Sequence, residues 1–111
     1  MKLRNASALW AALALAAPAA AEDRTIVQKD KSFSQPEVVI REGDRIVFSN
    51  RDAVSHNLFS RSAGSEFEIK VQLPGQDSPV AFDKPGTVEV RCAIHPEMKL
   101  RVVVVEPKEA Q

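Results

Sequence analysis

An alternation of polar and apolar residues near the middle of the chain limits the fold most strongly. It runs from Glu66 to Leu73, and its apolar members are Phe67, Ile69, Val71 and Leu73. Successive side chains of a β-strand point to opposite faces of a sheet, so the segment predicts a strand with one face in the core and the other in solvent. Pro74-Gly75 is typical of a turn and ends the strand.

Further short apolar segments predict additional strands. They are Thr25–Lys29, Glu37–Glu42, Arg45–Ser49, Pro79–Phe82, Thr87–Cys92 and Arg101–Val105. Gly43-Asp44 and Lys84-Pro85-Gly86 are typical of turns, and 50–52 of a loop. The chain has no long helical period and no internal repeat. Its 111 residues therefore predict one all-β domain, either a sandwich or a barrel, followed by a loose tail at 107–111.

The first 21 residues have the composition of a secretory signal peptide. Lys2 and Arg4 precede the apolar run Ala8–Ala17, and the small residues up to Ala21 suit cleavage by a signal peptidase. The alternative is a membrane anchor, but a span of the bilayer needs about 20 apolar residues and this run is shorter. We therefore expect residues 1–21 to be a cleaved signal peptide, and the protein to be periplasmic without membrane insertion.

The mature domain, residues 22–111, has a nearly balanced charge. Lys2 and Arg4 leave with the signal peptide while all 15 acidic residues stay, so the net charge becomes about −2. This value is too small to indicate nucleic acid or an anionic membrane surface as a partner. Cys92 is the only cysteine, so no intramolecular disulfide can form. A lone thiol in an oxidising compartment has to be buried, paired with another chain or bound to a ligand.

The residues of the mature domain that bind soft metals fall into one set. Cys92, His95 and Met98 lie within one short segment, and His56 lies upstream. Two imidazoles, a thiolate and a thioether match a mononuclear blue-copper site for electron transfer. The sequence therefore predicts one copper ion, cycling between Cu(I) and Cu(II), bound by His56, Cys92, His95 and, weakly, Met98.

The local sequence indicates how three of these ligands could meet. Val88, Val90 and Cys92 share one face of the predicted strand, so the thiol should point into the core. Pro96 cannot donate to a sheet ladder and keeps the preceding residue extended, so the chain should turn after Cys92. The turn would bring His95 and Met98 towards the thiol, while His56 would come from a different strand end.

Two longer segments resemble the cupredoxins, the type 1 blue copper proteins, and within them the plastocyanin and amicyanin branch. Val47–Leu58 is similar to the region of the first histidine, and Phe82–Val104, with Cys92-x-x-His95-x-x-Met98, is similar to the C-terminal ligand region. The resemblance implies an eight-stranded Greek-key β-sandwich of two sheets and a mobile one-electron carrier. It also implies that Asn57 braces the site near the thiolate.

Other functions remain open at this point. Each ligand residue has an ordinary structural alternative, such as a core thiol, a surface histidine or a methionine that fills the core. A periplasmic copper carrier or copper-tolerance protein could use the same four ligands. A Cys-His hydrolase or redox enzyme, with Cys92 as nucleophile and His95 as base, is a third possibility, but no third orienting residue, oxyanion element or second cysteine is evident. We expect a protein that is not an enzyme.

The surroundings of His95 predict where partners bind. Ala93, Ile94 and Pro96 place apolar side chains around it, and the resemblance implies that this edge is the shortest route from copper to the outside. Transient redox partners use small interfaces. We therefore expect a monomer that meets redox partner proteins near His95.

Overall fold

Short strands and tight turns make up the part of the chain that the computed structural model describes, residues 20–107. Nine strands lie within it: β1 Asp23–Lys29, β2 Ser32–Phe33, β3 Glu37–Arg41, β4 Arg45–Asn50, β5 His56–Ser60, β6 Phe67–Gln72, β7 Asp77–Ala81, β8 Gly86–Cys92 and β9 Lys99–Val105. None of the described residues belongs to a helix of the length and apolarity that a membrane crossing requires. The predicted signal peptide lies almost wholly outside these residues, as do the last four residues of the predicted tail.

The strands form two sheets that pack face to face. One sheet has the order β2-β1-β4-β7 and the other the order β3-β9-β8-β5-β6. Two pairs are parallel: β1 runs beside β4, and β3 runs beside β9. The remaining pairs are antiparallel. The predicted all-β fold, a Greek-key sandwich of two sheets in a single domain, is confirmed.

Alternating side chains from both sheets fill the space between them. The largest buried apolar residues are Phe48, Phe82, Ile26, Ile40, Ile46, Leu58, Met98 and Leu100. In β8 the predicted alternation holds, because Val88, Val90 and Cys92 are all buried while Glu89 is exposed. The core therefore extends along β8 to the thiol at the end of that strand.

Two strands were not predicted from the sequence. The two-residue strand β2 is too short to show a period, and it makes nine strands where the resemblance implied eight. In β5 the buried residues are His56, Leu58 and Ser60. Because only one of these is apolar, the inward face of β5 has no hydrophobic alternation in the sequence.

The prediction for the last part of the alternating segment was wrong. His56 pairs with Gln72 and Leu58 with Ile69, so β6 has one residue more than β5 over this stretch and contains a β-bulge. The extra residue reverses the faces beyond Ile69. Val71 and Leu73 are consequently 62% and 56% exposed, whereas Gln72 is fully buried.

The buried Gln72 side chain joins the two sheets beside the end of β5. Its amide donates to the Phe48 carbonyl at 3.0 Å and to Ser78 Oγ at 3.2 Å. Its Oε1 accepts a 2.7 Å hydrogen bond from Gln28 Nε2 on β1. A buried amide needs such partners, and here they fix the strand that begins with His56.

Candidate metal centre

Cys92 lies where β8 ends, directly opposite Leu58 of β5. Its side chain is 1% exposed. The backbone N–H of Asn57 donates to the Cys92 Sγ at 3.5 Å, and the Ala93 N–H donates to the Asn57 carbonyl at 3.3 Å. Asn57 therefore lies against the sulfur, as the resemblance implied, and it connects the ligand strand β8 with β5.

His56 is the first residue of β5 and is fully buried. The Asn50 side chain shapes the loop before it by accepting the Asp52 N–H at 2.9 Å and donating to the Val54 carbonyl at 3.0 Å. An asparagine bonded to the backbone two residues ahead is an Asx turn. This loop returns the chain to the second sheet and delivers the His56 imidazole beside Cys92.

A tight turn between β8 and β9 carries His95 and Met98. The Met98 N–H donates to the His95 carbonyl at 2.9 Å, which is the hydrogen bond of a β-turn with Pro96 at its second position, where proline is favoured. The turn predicted after Cys92 is thus present. It leaves His95 partly exposed and buries Met98, which is 1% exposed.

Three donor atoms converge at this end of the sandwich. Cys92 Sγ lies 3.6 Å from His56 Nδ1 and 3.8 Å from His95 Nδ1, and the ligand atoms of the three residues all lie within 4.8 Å of one another. The structure therefore brings together three of the four residues predicted from sequence, and it places Met98 in the same turn as His95.

These distances fit a single bound ion. Bonds of about 2.3 Å to sulfur and about 2.05 Å to nitrogen, with angles between tetrahedral and trigonal, separate the two donor atoms by about 3.6–3.8 Å. Two imidazole nitrogens and one thiolate are also ligands that copper prefers. The donor set and its spacing both suit copper.

Asp52 is a residue of this centre that the sequence analysis missed. The Nε2–H of His56 donates to Asp52 Oδ2 at 2.7 Å. Burial raises the pKa of the Asp52 carboxyl, but hydrogen bonds from His56 and from the backbone amides of Lys31 and Asp30 outweigh it and hold the pKa below its ordinary value. An acidic residue four positions before a ligand histidine was the only signal available in the sequence.

Comparison with known proteins identifies the family. The profile of the family described as copper binding proteins, plastocyanin/azurin family, matches residues 22–105. Amicyanin-alpha of Methylorubrum extorquens is 38% identical over 76 residues, which are 65% of this chain and 63% of the relative. The methylamine utilization protein MauL of the same organism is 28% identical over 101 residues, 90% of this chain and 89% of that protein.

A solved structure agrees with the sequence relatives. A reduced, copper(I) form of an amicyanin variant at pH 4 superposes with a TM-score of 0.67 at 26% identity, covering 74% of this chain and 81% of the other. The chain spans somewhat less than two thirds of the length of Amicyanin-alpha. The profile match, the superposition and the converging donor atoms agree with one another. This chain belongs to the plastocyanin/azurin family of copper-binding proteins.

Proposed function

We propose that the protein is a periplasmic blue copper protein that carries single electrons between partner proteins. The observation that carries the proposal is the convergence of His56 Nδ1, Cys92 Sγ and His95 Nδ1 at one end of a rigid sandwich. These three residues would hold one copper ion, with Met98 as a weaker fourth ligand. The similarity to Amicyanin-alpha and to the amicyanin structure supports this reading.

Copper would supply a one-electron couple between Cu(I) and Cu(II). The protein's part is to keep the ligands still, because the two oxidation states prefer different arrangements and a fixed compromise leaves little to rearrange. His56 and Cys92 are held by paired strands. The partly exposed imidazole of His95 provides a path to the surface, so no substrate needs to enter the core.

Three further parts of the proposal concern location, partners and assembly. The leader predicted at residues 1–21 supports export to the periplasm. Ile94, beside His95, is 57% exposed, which supports an apolar face on which redox partner proteins dock transiently. We propose that the mature domain works as a monomer, because a carrier must present this face to a donor and an acceptor in turn.

The optical spectrum of the copper-loaded protein tests the proposal. The mature protein loaded with Cu(II) should be intensely blue, because a thiolate ligand gives charge transfer to copper. Cys92→Ser should abolish the colour while the protein still folds, since a hydroxyl is a poor substitute for a soft thiolate. Zinc also binds such ligands, so other metals must be removed first.

A colourless wild-type copper complex would contradict the proposal. A second candidate, a copper carrier or copper-tolerance protein, uses the same ligands and would also be coloured. Exchange with a copper chelator separates the two, because a carrier has to release its ion readily. An electron-transfer protein should lose copper slowly, since the buried His56 and Cys92 have no direct access to solvent.

A further inference from the structure

The tautomer of the candidate ligand His56 is set by a carboxylate. His56 has two ring nitrogens, and both are buried: Nδ1 lies 3.6 Å from the Cys92 sulfur, and Nε2 lies 2.7 Å from Asp52 Oδ2. The carboxylate accepts a proton donor at Nε2, which leaves the lone pair of Nδ1 free on the side of the thiol. A partner of this kind also fixes the ring orientation.

A two-residue turn of the four-stranded sheet, which is the sheet that does not contain His56, holds the Asp52 carboxylate in place. Lys29 and Ser32 pair across the β1–β2 hairpin, and the two residues between them, Asp30 and Lys31, have φ values of 54° and 57°. Both backbone amides of this turn donate to Asp52: the Asp30 N–H to Oδ1, and the Lys31 N–H to Oδ2 at 3.0 Å.

The conformation of that turn is costly for its residues. Two-residue hairpins with two positive φ values usually contain Asn-Gly or Asp-Gly, and a lysine in this region is uncommon. Unfavourable backbone conformations persist where the surrounding structure determines them. Here the two amides point at one buried acceptor, so the hairpin and Asp52 stabilise each other.

We propose that Asp52 is a positioning residue that orients His56 and, through its negative charge, stabilises Cu(II) relative to Cu(I), thereby lowering the reduction potential. The inference rests on the proposed function. A fixed negative charge attracts an ion of charge +2 more strongly than one of charge +1. The carboxylate is only 8% exposed, so salt and water screen this difference weakly.

The substitution Asp52→Asn tests the role of the charge. It keeps the shape of the side chain and removes one negative charge next to His56. We expect the Cu(I) to Cu(II) ratio at a fixed applied potential to rise at least about tenfold, which corresponds to an upward shift of about 59 mV for one electron. Voltammetry of the copper-loaded protein measures this shift.

Asp44 provides a matched control. It is also buried, at 1% exposed, and it also accepts two backbone amides, those of Glu22 and Arg41, each at 2.9 Å. It precedes β4, whereas Asp52 follows that strand, so the two carboxylates are separated by about 20 Å. Asp44→Asn should lower stability as Asp52→Asn does, but leave the potential unchanged.

Three results would overturn the inference in a protein that is otherwise blue. They are an unchanged potential in Asp52→Asn, a lowered one, or an equal upward shift in Asp44→Asn. A wild-type protein that is not blue would instead contradict the proposed function itself. The two failures are therefore distinguishable.

A second measurement needs no variant and covers the case in which Asp52→Asn does not fold. The zinc-loaded wild-type protein is diamagnetic, so the Nε2 proton of His56 can be observed by NMR. We expect a slowly exchanging, strongly downfield proton on Nε2, because it is buried and bonded to a carboxylate. Rapid exchange with water, or metal bound at Nε2, would contradict the positioning role.

Discussion

The role of Met98 depends on whether its sulfur atom binds copper or only packs in the core. Its side chain is buried in the core and its backbone closes the turn that contains His95. Burial alone is what a methionine that only packs the core would show, since thioethers fill irregular gaps well. The two roles differ in chemistry, because only a ligand sulfur would influence the electronic state of copper.

Substitution of Met98 separates ligation from packing. Met98→Gln should lower the reduction potential while the blue colour stays, because an amide oxygen is a harder donor and favours Cu(II). Met98→Leu should raise the potential, since the loss of a donor costs Cu(II) more than Cu(I). If the sulfur only packs, both potentials stay the same and the Leu variant changes stability by less than about 1.5 kcal/mol. Voltammetry and thermal unfolding measure both effects.

The bulge in β6 decides which side chains lie beside the metal centre. With regular pairing, Val71 would face inward and Gln72 would face solvent. The extra residue between the His56–Gln72 and Leu58–Ile69 pairs reverses this order. The buried amide of Gln72 then accepts from Gln28 of the other sheet, so one irregularity creates a polar connection between the sheets at the end that carries His56.

Removal of the hydrogen bond between Gln72 and Gln28 should lower the free energy of unfolding in a non-additive way. Gln72→Leu leaves the Gln28 amide and the Phe48 carbonyl without their partner, and an unsatisfied buried group costs about 1–3 kcal/mol. The double variant with Gln28→Leu should lose less stability than the sum of the two single variants, because the Gln28 amide that Gln72→Leu leaves without its partner is removed. Denaturant unfolding of the metal-free protein gives these values, and exposed Gln35→Leu is the control. Additivity within about 0.5 kcal/mol would contradict the coupling.

The docking face proposed above lies at one end of the sandwich. His95 is partly exposed there, and Ala93, Ile94 and Pro96 are exposed around it. Residues 22–111, the predicted mature domain, carry a net charge of about −2, so two copies would repel each other weakly at long range. The rate at which two copies meet therefore depends on the net charge and on the chemistry of this face. A lysine placed on the face and a lysine placed elsewhere separate the two effects.

Electron self-exchange between two copies tests the docking face without a known partner. Ile94→Lys reduces the net negative charge, which by itself should speed encounter, but it places two ammonium groups opposite each other if this face docks. We expect slower self-exchange, measured by NMR line broadening in mixed Cu(I) and Cu(II) samples, with an unchanged optical spectrum.

Val39→Lys is the control for that experiment. Val39 is 51% exposed on β3, an edge strand of the five-stranded sheet, and its substitution changes the net charge equally. Its self-exchange rate should stay the same or rise. Equal rates in the two variants would show that electrons do not pass through the face around His95.

The sequence by itself determined the features that depend on local chemistry. Alternation placed Cys92 on the buried face of β8, and Pro96 produced the turn that returns His95, because both effects act within a few residues. Only the tertiary structure decided the surroundings of His56. The bonds from Asp52 to the β1–β2 turn and from Gln72 to Gln28 join residues 21 to 44 positions apart. Such contacts follow from the register and packing of two sheets, and no local pattern specifies them.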